Sequence, residues 1–285
     1  MILLTGATGR IAGAASEILV NAGVPFRAFV RNADKFDYAE RDSVDVCVGD
    51  MENPDDVKRA LAGISRALLV TANNERQAAI ERGFSEQAAA AGVTHIVKIS
   101  SMEAAADASA AFPKLHYESE EYIKSLDMAW TMIQPNFFMQ NLLMYAQSIA
   151  KANLFALPLG DAQTAMIDAR DVGAVCAAVM QESGHENKTY QLTGSELLTF
   201  EQVAARMSDK LGRDIRYIDQ PPEEFRAFML QIIPSAWHAN AVADLFAEIA
   251  GGSLEYKTTS VKELLGREPR SVEDFLDDYA AAFAA

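Results

Sequence analysis

Residues 1–13 read MILLTGATGRIAG, and this stretch decides the fold. A short apolar run, Ile2–Leu4, meets a glycine turn at Gly6 and Gly9, and the alanine-rich residues that follow have helical character. The order is therefore strand, tight turn, helix. Glycine lets the backbone approach a pyrophosphate closely, and the first N–H groups of the helix point at the bound anion. The pattern predicts a dinucleotide site at the carboxyl end of the first strand.

The glycine spacing differs from the dehydrogenase fingerprint, because the third position is Ala12 and the next glycine, Gly13, comes one place late. Alanine is still small enough for a helix to pack closely on a strand. The alternative is an ordinary strand–turn–helix without a ligand. We predict that the turn and the first helical residues contact the dinucleotide, namely Gly6, Thr8, Gly9, Arg10 and Ile11.

Composition limits the partners of the chain. Its 285 residues carry a formal net charge of −15, which argues against a surface for nucleic acid or anionic lipid. No apolar run approaches the roughly 20 residues that a membrane span needs. The first residues already form a strand, so we expect no signal peptide and a cytoplasmic location.

The two cysteines lie far apart in apolar stretches, at Cys47 and Cys176, without a Cys-x-x-Cys or Cys/His cluster. Buried free thiols are therefore expected, and the sequence suggests neither a disulfide nor a metal site.

Strands and helices alternate along the first half of the chain, which predicts a doubly wound parallel α/β sheet with ligands at the carboxyl ends of the strands. We place this dinucleotide-binding domain at residues 1–150 and a smaller, mostly helical substrate region at residues 151–285. Residues 168–192 are expected to return to the first sheet. The predicted elements include a helix that opens at 134–141 and runs to about Ala150, and a short strand near 165–167.

The second predicted strand ends at Val30 without the acidic residue that would bind the ribose 2′-hydroxyl of NAD. Arg31 follows it directly, and Lys35 is close behind. An arginine can hold a 2′-phosphate with two hydrogen bonds, and Lys35 adds a second positive charge. The pattern favours NADPH over NADH. The alternative is that Arg31 is an ordinary surface cation.

Further candidates follow other strands at the same edge of the sheet. Asp50 and Met51 follow the third strand, where Asp50 can accept a hydrogen bond from an adenine amino group or cap the next turn. Thr71 and Ala72 follow the fourth strand and are predicted to lie beside a ribose. Ser100 follows the fifth strand.

Several motifs together resemble the NmrA-like atypical short-chain dehydrogenase/reductases, in the branch that contains triphenylmethane reductase, type 2 NAD(P)H quinone oxidoreductase and azoreductases. They are TGATG at 5–9, His116-x-x-x-Glu120, the run 130–138 (WTMIQPNFF) and IDARD at 167–171. The resemblance spans about residues 1–250. It implies a Rossmann-type fold with an interleaved C-terminal substrate subdomain, and NADPH as cofactor.

The Tyr-x-x-x-Lys pair of short-chain dehydrogenases is missing, because Tyr117 is followed four places later by Glu121. His116 and Glu120 stand one turn apart on the same predicted helix instead. We predict that His116 donates a proton or orients the substrate, with Glu120 holding its tautomer. The alternative is a histidine with a purely structural role.

The segment after the sixth strand lies near the nicotinamide in this architecture. Pro135 and Phe137 are therefore predicted to contact the cofactor. Phe137 and Phe138 are also predicted to line a flat, apolar substrate cleft, together with Met144 and Trp237.

The resemblance implies a reductase that transfers hydride from NADPH, with NADH as a second donor, to a quinone, an azo or triarylmethane dye, or a polycyclic aromatic compound. Such acceptors are electron-poor, so the protein mainly has to stack them against the nicotinamide and exclude water. One alternative is a regulator that senses NAD(P) without turnover. Another is a tailoring enzyme of an aromatic biosynthetic pathway. The sequence allows a homodimer and does not fix the oligomeric state.

Overall fold

A computed structural model describes residues 1–284, which form two compact units. The first contains Met1–Ala106, Leu115–Gln134 and Ala169–Gln191, and the second contains Asp107–Lys114, Pro135–Asp168 and the residues from Leu192 onward. No helix within residues 1–284 is both long and apolar enough to cross a lipid bilayer.

The first unit is built on a seven-stranded sheet with the order β3-β2-β1-β4-β5-β6-β9. Every pairing among its first six strands is parallel. Its central strands are buried on both faces, as expected for a parallel sheet covered by helices. The strands are β1 (Ile2–Thr5), β2 (Phe26–Val30), β3 (Val44–Val48), β4 (Arg66–Leu69), β5 (His95–Ile99), β6 (Ala129–Pro135) and β9 (Lys188–Leu192).

The helices that connect these strands pack in two pairs, α1 on α6 and α2 on α3. Proline at the first position and Asn53 as the N-cap define the start of α2. The helices are α1 (Arg10–Asn21), α2 (Pro54–Leu61), α3 (Gln77–Ala90), α4 (Ala111–Lys124) and α6 (Ala169–Gln181).

The strand order reverses between β1 and β4, which are neighbours in the sheet although two strands separate them in sequence. Loops diverge at such a switch point and leave a crevice at the carboxyl ends of the strands. The order 3-2-1-4-5-6 is that of a Rossmann sheet, so the predicted doubly wound α/β fold is confirmed. The glycine turn follows β1 and therefore lies at this switch point.

The contact between α1 and α6 depends on Gly173. A Cβ atom at this position would lie 2.6 Å from the Cβ atom of Ala14 and 2.7 Å from the carbonyl oxygen of Ile11. Both distances are shorter than van der Waals contact, so any side chain here would push α6 away from α1.

The second unit combines short strand pairs with helices. In it β7 (Leu154–Leu157) pairs in parallel with β11 (Arg216–Asp219), and β8 (Gln163–Thr164) pairs antiparallel with β10 (Leu198–Thr199). Its helices are α5 (Ala146–Ala152), α7 (Phe200–Leu211), α8 (Pro222–Ile232), α9 (Ala236–Ala250), α10 (Ser260–Leu265), α11 (Val272–Asp278) and α12 (Ala280–Phe283).

Two predicted elements differ from the structure. The helix expected to reach about Ala150 is a 3₁₀ segment, Met139–Tyr145, followed by α5. The strand expected near 165–167 lies slightly earlier in the sequence, as β8. The N–H of Ile167 donates instead to the carbonyl oxygen of Phe137, which belongs to no sheet at that point.

We expect Gly173→Ala to lower the free energy of unfolding by about 1–3 kcal/mol, because the added methyl group overlaps the backbone of α1. Gly83→Ala on α3 is the matched control, since a Cβ there meets no atom within 4 Å. Alanine favours a helix by up to about 1 kcal/mol over glycine, so the control is expected to be neutral or stabilising. Urea unfolding of both variants measures the difference, and equal midpoints would contradict the close packing.

Candidate functional site

The turn after β1 is shaped for the close approach of an anion. Gly6 has a φ of +63°, and a Cβ there would lie 3.0 Å from the carbonyl oxygen of Val70. The N–H of Gly9 donates to the carbonyl oxygen of Gly6 at 2.8 Å, and α1 begins at the next residue. Because Gly9 occupies the N-cap and has no side chain, no side-chain cap covers the start of α1. The first N–H groups of the helix fit a phosphate.

Beside this turn lies a groove of about 240 Å³ in the first unit. Three cationic residues line it, which is notable in a chain with a net charge of −15. Acidic residues line it as well, so positive potential is confined to parts of the groove. The cationic residues are Arg10, Lys35 and Arg170, and the acidic residues are Glu17 and Asp37. Together with the uncapped helix, the groove fits the phosphates of a dinucleotide.

Arg31 lies directly after β2, as predicted, and Lys35 ends a short 3₁₀ turn. Both side chains are exposed, and Lys35 lines the groove described above. Arg31 does not line it. The structure therefore places Lys35 beside the glycine turn, whereas Arg31 lies just after the end of β2 and outside the groove.

The loop after β3 supports one of the two alternatives for Asp50. Its Oδ1 accepts a hydrogen bond from the N–H of Glu52 at 2.9 Å, which is the geometry of a turn cap. Met51 packs partly against the hydrophobic core of the first unit. This arrangement favours a structural role for one oxygen of Asp50.

The loop after β4 connects the sheet edge to the interior of the first unit. The Thr71 hydroxyl donates to the carboxylate of Glu81, a residue of α3 that is fully buried. Ala72 beside it is exposed. Thr71 is thus tied to a buried charge rather than free to turn toward a ligand.

Glu81 belongs to a buried polar network that the sequence analysis missed. The Lys98 ammonium on β5 lies 3.2 Å from the Glu81 carboxylate, and neither side chain has any exposed surface. Lys98 also donates to the carbonyl oxygen of Ile99 at 3.0 Å and to Nδ1 of His116 at 2.9 Å. The amide nitrogen of Gln77 lies 3.2 Å from both Glu81 Oε1 and His116 Nδ1. A lysine inside the apolar strand HIVKI was the available signal.

His116 does not have the partner that the sequence predicts. Glu120 is one turn away, but its carboxylate accepts from the Gln134 amide at 2.8 Å and from Lys124 at 3.2 Å. The Nδ1 atom of His116 is taken by Lys98. A spacing of four residues therefore places both side chains on one helix without pairing them, because each has a stronger donor nearby. The catalytic roles of both remain predictions.

The protonation state of His116 follows from its surroundings. Burial, and then the positive charge of Lys98, hold the pKa of His116 well below the usual 6.5. The imidazole is therefore neutral at neutral pH. Because Nδ1 accepts from an ammonium group, the single ring proton resides on Nε2.

Ser100 follows β5, next to this network in sequence. Its N–H donates to the carbonyl oxygen of Ile133 at 2.7 Å, which extends the pairing with β6. Its hydroxyl is buried and has no hydrogen-bond partner within residues 1–284. A buried hydroxyl without a partner is costly in the unliganded protein and is suited to a polar ligand atom.

The predicted substrate residues lie in the second unit in different settings. Pro135 and Phe137 are buried, and the Phe137 ring packs edge-on against Phe200 and Phe246 at 5.6 and 5.8 Å. Trp237 is half-buried and meets Phe112 edge-on at 5.7 Å.

Phe138 is half-buried, whereas Met144 is 59% exposed. Phe137 therefore has the contacts of a core residue, and Phe138, Met144 and Trp237 keep exposed surface. Their contact with a substrate stays a prediction.

Comparisons with known proteins agree with this architecture. Residues 1–276 match the model of the NmrA-like family. An NAD(P)H azoreductase of Xenophilus azovorans is 34% identical over 285 residues, which cover 100% of both chains.

Two solved structures share the fold over nearly the whole chain. The NADPH-dependent quinone oxidoreductase of Escherichia coli in complex with NADPH has a TM-score of 0.89 at 25% identity, covering 98% of this chain and 100% of that one. Citrobacter sp. triphenylmethane reductase in complex with NADP(H) has a TM-score of 0.85 at 22% identity, covering 98% and 99%. The second similarity concerns the fold alone. The resemblance inferred from the sequence motifs is confirmed.

The free energy of unfolding should fall as the pH drops below about 6.5. Burial lowers the pKa of His116 and of His95, the first residue of β5. The unfolded chain takes up these protons near pH 6.5 while the folded chain does not, so protonation favours unfolding. Each histidine contributes up to about 1.4 kcal/mol per pH unit.

Urea unfolding at pH 7.5 and 5.5 measures this loss. His116→Gln and His95→Gln should each reduce the pH dependence. Equal stability of the wild-type protein at both pH values would show that the buried histidines protonate freely in the folded state.

Proposed function

The chain belongs to the NmrA-like family, and from this premise we propose that it is an NAD(P)H-dependent oxidoreductase that transfers hydride to a flat conjugated acceptor. The acceptors are quinones, azo dyes, triarylmethane dyes and related polycyclic aromatic compounds. The observation that carries the proposal is the end-to-end similarity to an NAD(P)H azoreductase. The structural similarity to an NADPH-dependent quinone oxidoreductase supports it.

The cofactor-binding residues would come from the switch point of the sheet. The uncapped start of α1 would hold the pyrophosphate, with Gly6 and Gly9 allowing close approach. Lys35, with Arg31 at the end of β2, would pair with a 2′-phosphate. When bound, the reduced nicotinamide supplies hydride. NADPH is the preferred donor and NADH the second.

The protein's own groups bind and orient the acceptor and exclude water. A quinone or a dye takes hydride into an electron-poor conjugated system, so a strong acid is not required. Neutral His116 would donate a hydrogen bond through Nε2–H to a quinone oxygen or an azo nitrogen as negative charge develops on that atom. Phe138 and Trp237 would stack on the flat acceptor through their exposed surface.

We further propose a small-molecule substrate as the main partner and, as the sequence suggests, a cytoplasmic location. A homodimer stays a prediction. Light scattering on the purified protein would determine its oligomeric state, and cell fractionation would determine its location.

The test is a titration of the purified protein with NADPH and NADH, followed by quinones, azo dyes and triarylmethane dyes while the absorbance of the reduced nicotinamide is recorded. We expect tight binding of NADPH and its oxidation by at least one acceptor class. Thr8→Asp is the control, because it places a carboxylate beside the start of α1 and should abolish both signals. Tight binding without oxidation by any acceptor would contradict the reductase and favour an NAD(P) sensor.

Arg31→Ala should weaken NADPH binding about tenfold to hundredfold, because hydrogen bonds between charged groups contribute about 1.5–3 kcal/mol. NADH has no 2′-phosphate, so its affinity should change less than about twofold. Lys35→Ala should have the same selectivity. Fluorescence titration measures both cofactors, with Arg82→Ala, which removes an exposed arginine from α3, as the control. Equal losses for NADPH and NADH would show that Arg31 does not contact the phosphate.

A further inference from the structure

The Lys98 ammonium makes its polar contacts inside the protein. It donates to the carbonyl oxygen of Ile99 at 3.0 Å and to Nδ1 of His116 at 2.9 Å. The Glu81 carboxylate lies 3.2 Å away and forms an ion pair with it rather than a hydrogen bond. The neighbours of Lys98 in β5 are apolar and buried. The ammonium therefore has no access to water, and its charge is paired with the Glu81 carboxylate.

A buried ion pair is an expensive way to stabilise a fold. Removing both charges from water opposes folding, and apolar residues of similar volume often replace such pairs without loss of stability. An alternating or fully apolar β5 would satisfy the sheet equally well. The presence of the pair thus calls for a role other than stability.

The geometry indicates that this role concerns the imidazole of His116. Nδ1 of His116 lies between two donors, the Lys98 ammonium and the Gln77 amide, and can only accept there. The ring proton is forced onto Nε2, and the neighbouring positive charge opposes a second proton. The Gln77 amide nitrogen lies 3.5 Å from Nε2, but it is itself a donor and does not accept the Nε2 proton. No other described residue approaches Nε2 within hydrogen-bond distance.

We propose that Lys98, held in place by Glu81, is a positioning residue for the reductase reaction. It fixes His116 as a neutral imidazole whose Nε2–H is presented to the carbonyl oxygen or azo nitrogen of the acceptor. This inference rests on the proposed function. His116 lies beside the carboxyl end of β5, at the same sheet edge as the glycine turn.

The reaction then balances without a protein acid. The hydride brings two electrons and one proton to the acceptor, and the oxygen or nitrogen left negative accepts a hydrogen bond from Nε2–H. The second proton comes from solvent once the reduced product has left the site, and His116 keeps its own. The imidazole acts as a fixed dipole at the developing charge.

Nuclear magnetic resonance of ¹⁵N-histidine tests the tautomer directly, in the free protein and without an acceptor. The signals of His116 are assigned by comparison with the His116→Gln variant, which lacks them. We expect His116 to be protonated on Nε2 only, and to remain neutral as the pH falls from 8 to 6. The charged and polar groups around it are Lys98 of β5, Glu81 and Gln77 of α3, and Glu120 and Lys124 of its own helix.

The double variant Lys98→Met/Glu81→Gln removes both charges together, so that neither is left buried alone. We expect a mixture of tautomers and a higher pKa for His116. The kcat for quinone reduction should fall about tenfold to hundredfold and become pH-dependent between pH 6 and 8, with KM for the acceptor changed less than about threefold. Arg82→Met/Glu86→Gln, the same substitutions at an exposed pair on α3, should change neither the tautomer nor kcat.

The two levels of the proposal fail in different ways. An Nδ1–H tautomer or an imidazolium in an active wild-type enzyme overturns the role of Lys98 and leaves the reductase intact. A kcat in the double variant within about twofold of the wild type also overturns the role of Lys98 and leaves the reductase intact. If none of the acceptors supports NADPH oxidation by the wild-type protein, the proposed function is overturned. The role of His116 toward the acceptor then falls with it.

Discussion

The positive φ of Gly6 is the constraint on which the dinucleotide site depends. It turns the chain directly from β1 into α1 where β1 and β4 lie side by side, with Val70 too close for a side chain on Gly6. The same turn leaves the start of α1 without a side-chain cap, so this end of the helix is suited to an anion. Close packing of α6 on α1 at Gly173 then fixes the direction of that helix. Backbone geometry and a few local cations, rather than the net charge of the chain, make this acidic protein suited to bind an anion.

The parallel α/β sheet and the positions of the candidate residues after its strands could be predicted because both follow from local patterns. Alternating apolar runs and helical segments specify such a sheet. The segment 139–152 could not be predicted in detail. Its residues satisfy helical periodicity, but a 3₁₀ turn replaces the first part of the helix. There the N–H of Met139 donates to the carbonyl oxygen of Ile167, and the N–H of Ile167 donates to that of Phe137.

The buried network was missed for a physical reason of a different kind. Glu81, Lys98 and His116 belong to three elements, and only the tertiary fold brings them together. Helical spacing drew attention to Glu120, since residues four apart are neighbours on a helix. Spacing along one helix carries no information about donors from a neighbouring strand. Lys98 in an otherwise apolar strand marked an unusual position, but it did not identify its partners.

The role proposed for this network would let the chain do without Tyr-x-x-x-Lys. In that motif a lysine lowers the pKa of a tyrosine so that it can exchange a proton with an alkoxide, which is a strong base. The charge of Lys98 likewise opposes protonation of His116, but here it leaves a neutral hydrogen-bond donor. Quinones and azo compounds that have accepted hydride carry their negative charge over a conjugated system and are far weaker bases than an alkoxide. In the proposed reaction a fixed hydrogen-bond donor is therefore sufficient for such acceptors.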